Sequence, residues 1–195
     1  MRLILASTSP RRREILTALG VPFESVSPRY DEIPEADESP EAQAARFALG
    51  KARSIGAADA VVLGSDTVVV VDDEVLGKPL DAADARRMLR RLGGRDHRVI
   101  TAVAILAPGY PETVWAERAA VWMRALGDRE IDAYLRTGES MDKAGAYALQ
   151  GAGAGLIDRV EGDRFTVIGL PARSVAEALR TRGVAVRADV EALYS

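Results

Sequence analysis

Short apolar runs alternate with helix-forming stretches along the whole chain, and this alternation restricts it to an α/β architecture with helices on the faces of a mixed sheet. An apolar run at residues 3–6 predicts a first strand that passes into a helix ending at Gly20. Ser39-Pro40 supplies an N-cap and first-turn pair for a second helix ending near Gly56. Residues 60–63 and 68–71 predict two short strands separated by Gly64-Ser65-Asp66-Thr67, the second closing on the turn Asp72-Asp73-Glu74. Asp81 caps a predicted third helix closed by Gly93-Gly94. Residues 98–107 and 113–126 predict longer strands joined across Pro108-Gly109-Tyr110-Pro111, and residues 128–136 predict a helix. Residues 156–160 and 164–168 predict a strand pair, and a last helix follows Pro171. Residues 27–40, with three prolines and several acids, predict one long loop. At 195 residues and 48% hydrophobic content the chain can bury one sizeable core, so a single domain over residues 1–195 is expected.

Composition narrows the chemistry. With 26 basic against 29 acidic residues the formal charge is -3, which gives no general attraction to nucleic acid or to an anionic membrane surface. No cysteine and one histidine exclude disulfides, thiolate metal sites, a cysteine nucleophile and any two-histidine metal motif. A Ser-His-Asp triad would have to use His97, and no GxSxG elbow accompanies it. Carboxylates, lysine, arginine and hard divalent cations remain. The apolar start, Leu3 to Ala6, is too short for a signal peptide or a membrane span, so a cytoplasmic location is expected.

Ser7-Thr8-Ser9-Pro10-Arg11-Arg12-Arg13 lies between the first strand and first helix. Three cations in a first helical turn oppose the macrodipole by roughly 0.3–1 kcal/mol each when exposed, so helix stability does not explain them. Hydroxyls, free backbone N–H groups and guanidinium forks at one helix start suit a phosphate; the competing reading is a solvated basic turn, with Arg13 mere surface charge. Asp66, where an apolar run stops, can hold a metal or activate water, or simply cap a turn. Lys51 interrupts the apolar stripe Ala44, Phe47 and Ile55, either snorkelling to solvent or serving an anion. Asp31 and Glu32 read as solvated turn charges or oxygen ligands for a divalent ion, and Lys78 as a surface lysine or a phosphate contact. Residues 142–151 form neither a Walker A loop nor a GxGxxG fingerprint, but the Gln150 amide carries both a donor and an acceptor for a nucleobase edge.

In order along the chain, these pieces resemble the Maf family of nucleoside triphosphate pyrophosphatases: SxSPRR at residues 7–12, Asp31-Glu32, Lys51-Ala52-Arg53, Gly-Ser-Asp-Thr at 64–67, Gly-Lys-Pro at 77–79, Asp-Lys-Ala-Gly-Ala-Tyr at 142–147 with Gln150-Gly151, and Val-Ile-Gly-Leu-Pro at 167–171. The resemblance implies a single α/β domain with two lobes around a nucleotide cleft, frequent homodimers, and Mg²⁺- or Mn²⁺-dependent release of pyrophosphate from nucleotides. It gives Asp66 as the catalytic acid, Lys78 as a second catalytic residue that also handles phosphate, Ser7, Arg11, Arg12 and Lys51 as the other phosphate-handling groups, and Asp66 with Glu32 as the metal-side carboxylates. Thr67 and Gln150 match the branch acting on dTTP and UTP, whereas the branch acting on 7-methyl-GTP tends to carry Gln and Glu at those positions. The alternative the resemblance offers is a nucleotide-binding regulator of septum formation and cell division.

Overall fold

The computed structural model describes residues 1–195. Seven strands form one mixed sheet, β1 (Leu3–Ala6), β2 (Glu24–Val26), β3 (Val61–Val71), β4 (Glu74–Leu76), β5 (Asp96–Leu106), β6 (Thr113–Met123) and β7 (Ile157–Glu161), in the order β2-β1-β3-β5-β6-β7 with β4 paired to β3. Strand β1 runs parallel to β2 and β3, while β4 and β7 pair antiparallel with β3 and β6. The helices are α1 (Pro10–Ala18), α2 (Pro40–Arg53), α3 (Ala82–Leu92), α4 (Asp128–Leu135), α5 (Arg164–Ile168) and α6 (Ala172–Arg180). None is long and apolar enough to cross a membrane.

Two compact units divide the chain. One comprises Met1–Asp66, Thr101–Glu117 and Gly169–Ser195; the other comprises Thr67–Ile100 and Arg118–Ile168. In the first, Leu3, Leu5 and Leu63 are fully buried, as strands covered on both faces require. The Ser39 hydroxyl caps α2 by accepting from Ala42 N–H at 3.2 Å, and Lys51 and Arg53 fall in its last turn, where the dipole favours cations. Helix α2 lies so close to β3 that a Cβ on Gly64 would be 2.2 Å from the Ala48 carbonyl oxygen. In the second unit, Asp81 caps α3 by accepting from Asp84 N–H at 2.8 Å, and Met88, Leu89 and Leu92 of α3 join Val69, Val99, Val121, Ile131 and Tyr147 in one core.

Two expectations are corrected here. The predicted break between residues 63 and 68 does not exist: β3 is one strand of eleven residues, buried throughout except at Thr67. Glycine, serine and aspartate have little intrinsic preference for a strand, but β1 pairs with its first half and β4 with its last, so pairing overrides propensity. Asp66 is therefore a mid-strand residue, not one beyond a strand end. Residues 164–168 form the short helix α5 in place of the predicted strand, because Gly162 at φ 102° ends β7 and the Asp163 carboxylate accepts the Phe165 N–H at 2.9 Å.

Candidate active site

In the first unit, residues far apart in sequence converge on two carboxylates. Asp66 is buried in β3, and the Lys51 Nζ, equally buried on α2, donates to its Oδ1 at 2.6 Å. The same Nζ lies 2.9 Å from Glu32 Oε1, so one ammonium spans a buried and a half-exposed carboxylate. Glycine at position 64 makes this reach short, since the absent side chain is what lets α2 approach β3.

Glu32 belongs to the long loop before α2, and that loop is fastened. The Tyr30 ring packs over Gly50, where a Cβ would be 2.2 Å from Tyr30 Cε2. Arg46 of α2 donates to the Ile33 carbonyl at 3.0 Å and pairs with Glu38 at 2.6 Å, and Arg29 N–H donates to Ser54 Oγ at 3.1 Å. None of these anchors was legible beforehand; Tyr30 and Gly50 gain their meaning only once the loop is folded against the helix.

The junction of β1 and α1 supplies the cations. Ser7 Oγ is buried and accepts from Ser9 N–H at 3.1 Å and from Arg12 Nη1 at 3.3 Å. Arg12 Nε donates to the Gly169 carbonyl at 2.9 Å, which Ser65 Oγ also reaches at 3.1 Å. Gly169 thus orients Arg12 through its backbone, a role that the Val-Ile-Gly-Leu-Pro match alone did not reveal. Burial pushes the Arg12 guanidinium below its ordinary value; Asp66 and Glu32 pull it back up, and neighbouring Arg11 adds to the depression. Burial also pushes the Asp66 carboxyl above the usual carboxylate range, with Lys51 and Arg12 opposing and Glu32 reinforcing the rise. Arg11 is half-exposed and Arg13 exposed.

The remaining predicted residues, Thr67, Lys78 and Gln150, fall in the second unit. Thr67 follows Asp66 in β3, and Lys78 is exposed in the turn after β4. Gly77, the residue before Lys78, accepts the Gly145 N–H at 3.1 Å, which joins the Gly-Lys-Pro turn to the segment leading to Gln150. Gly145 at φ 70° packs against Val69, Ala146 holds φ 60°, and the buried Tyr147 hydroxyl lies 2.7 Å from His97 Nε2. A non-glycine residue in the left-handed region carries a cost that its surroundings must offset. Burial lowers the His97 imidazole to about 4 and raises the Tyr147 phenol, so both are neutral near pH 7. Gln150 is exposed.

Residues 2–182 match the family model described as Maf-like protein. A dTTP/UTP pyrophosphatase from Moorella thermoacetica is 50% identical over 188 residues, covering 95% of this chain and 97% of that protein. A dTTP/UTP pyrophosphatase from Symbiobacterium thermophilum is 46% identical, covering 93% of this chain and 94% of that protein, and one from Vibrio cholerae is 46% identical, covering 87% and 92%.

Proposed function

The chain belongs to the Maf-like protein family, and from that premise we propose that it hydrolyses nucleoside triphosphates, preferring dTTP and UTP, to the monophosphate and pyrophosphate. The observation that carries this reading is the Lys51 ammonium spanning Asp66 and Glu32 beside the Ser7–Arg12 pair, because it gathers water-activating and phosphate-binding groups at one place.

Water attacks the α-phosphorus, Asp66 takes its proton, a P–O bond forms, and the bond to the β-phosphate oxygen breaks with its electrons leaving on pyrophosphate. The raised proton affinity of Asp66 suits a base better than an ordinary surface carboxylate. Arg11, Arg12 and Lys51 offset charge that grows on the phosphates as this bond breaks, and Ser7 orients Arg12. The donor set fits Mg²⁺ or Mn²⁺: Asp66 and Glu32 already converge on one cation, and such ions are commonly held by one or two carboxylates together with substrate phosphates. When bound, the ion supplies Lewis-acid polarisation of a phosphate oxygen.

Arg12→Ala should lower turnover at least about tenfold, since it removes a half-buried, charge-assisted phosphate contact, whereas Arg13→Ala on the exposed side of α1 should change it less than about twofold. Steady-state rates compare the two; equal losses would mean a diffuse basic patch.

The Gln150 amide pairs one donor and one acceptor with the imide edge of thymine or uracil, and a mismatched base leaves polar groups unpaired at roughly 1–3 kcal/mol each. Incubating purified protein with Mg²⁺ and a panel of triphosphates, followed by anion-exchange separation, tests both levels of the proposal. The expected products are pyrophosphate and the monophosphate, fastest from dTTP and UTP. Thr67→Gln with Gln150→Glu should slow pyrimidine turnover and raise that of 7-methyl-GTP. Equal rates on all triphosphates would overturn the base assignment, and no pyrophosphate would overturn the activity.

A further inference from the structure

Glu139 lies four residues beyond the end of α4, outside every sequence element assigned a role above. Its main chain is held on both sides: the N–H donates to Thr137 Oγ1 at 3.2 Å, and the carbonyl accepts from Lys143 Nζ at 2.5 Å. Its half-buried side chain then crosses to the turn that follows Gln150. There Oε1 accepts the Ala152 N–H at 3.1 Å and Oε2 the Gly153 N–H at 3.3 Å. Both carboxylate oxygens are committed to backbone, and hydrogen bonds to an ionised acceptor are stronger than neutral ones.

The glycines of this turn fit around that contact. Gly151, at φ 65°, would place a Cβ 2.5 Å from Glu139 Oε1, and a Cβ on Gly153 would be 2.3 Å from the Ala148 carbonyl oxygen. Ahead of Gln150 the chain is fixed by Tyr147 on His97 and by Gly145 on Gly77; behind it the fastening is Glu139. We propose that Glu139 is a positioning residue for base selection: by fixing the peptide groups after Gln150 it sets the direction in which the Gln150 amide is presented to the base. This rests on Gln150 reading the base, as proposed above. Hydrogen-bond discrimination needs a donor and an acceptor held within a fraction of an ångström, which an exposed side chain on an untethered turn does not provide.

Steady-state kinetics on dTTP and dGTP with wild type, Glu139→Ala, Glu139→Gln, Gly151→Ala and Gln150→Ala test the proposal, with circular dichroism as a check of folding. Glu139→Ala should raise KM for dTTP about tenfold, leave kcat within about twofold, and reduce the dTTP-over-dGTP preference toward that of Gln150→Ala. Gly151→Ala, which displaces the same carboxylate from the other side, should do likewise. Glu139→Gln retains an amide oxygen for the Ala152 N–H and should recover part of the preference. If Gln150→Ala abolishes the preference while Glu139→Ala keeps it, or if Glu139→Ala slows both nucleotides equally, the positioning role is overturned and the role of Gln150 stands. If Gln150→Ala leaves the preference unchanged, base reading by Gln150 fails and the role of Glu139 falls with it. Should Glu139→Ala not fold, Gly151→Ala decides: a wild-type preference in that variant overturns the proposal.

Discussion

Asp66→Asn should lower pyrophosphate release by at least about a hundredfold, the range associated with losing a positioned acid or base. Asparagine keeps the shape of the side chain, and its carbonyl oxygen can still accept from Lys51 Nζ, which also retains Glu32 at 2.9 Å. The variant should therefore fold, with an unchanged circular dichroism spectrum. What it loses is a basic oxygen able to take the proton of water. Folded Asp66→Asn with near wild-type activity would remove Asp66 from the chemistry.

Lys51→Met should both cripple turnover and make stability fall with rising pH more steeply than it does in wild type, whose Asp66 carboxyl is already raised by burial. Methionine fills the apolar length of the lysine side chain but leaves the buried Asp66 carboxylate without its nearest cation, a loss on the order of 3 kcal/mol when one partner of a buried pair is removed. Lys51 is also the largest influence holding the Asp66 carboxyl down against burial, so its removal raises that carboxyl further. A carboxyl whose affinity for protons is higher folded than unfolded favours the folded state at low pH, and that advantage disappears as pH rises through the folded value. The Tm difference between wild type and Lys51→Met should accordingly be small near pH 4 and widen toward pH 8. A difference independent of pH would show that Asp66 does not feel Lys51. In parallel, the acid limb of the kcat/KM profile should move to higher pH.

How much was legible in sequence depended on whether the signal was local. The caps Ser39 and Asp81 make the hydrogen bonds their residue types suggest, because an N-cap involves only residues a few positions apart. The interruption expected at Gly64-Ser65-Asp66-Thr67 is absent, since the same residues that lower strand propensity are a close-packing glycine and a buried acid held by Lys51 inside a strand fixed by its neighbours. Lys51 and Glu32 each stand between two readings in sequence, and the contacts of Lys51 Nζ with both Asp66, fifteen positions away, and Glu32 of the long loop are long-range pairings that no local pattern carries. The Gly169 carbonyl at Arg12 and the Glu139 carboxylate at Ala152 and Gly153 had no signature in sequence, because in each contact one partner is a backbone group that carries no side-chain identity.

The imidazole of His97 is the only one in the chain, and it stands edge-on to the Tyr147 ring, with centroids 5.3 Å apart and planes at 83°. With its proton affinity lowered to about 4, the ring stays uncharged throughout the range in which the enzyme would be assayed. Its carbon-bound protons therefore form one pair of aromatic resonances, unmoved by ordinary buffer changes and subject to the ring current of the phenol three residues ahead of Gln150. The protein thus carries a built-in, label-free magnetic probe of how the Gln150 segment is seated, readable in the intact molecule with and without nucleotide.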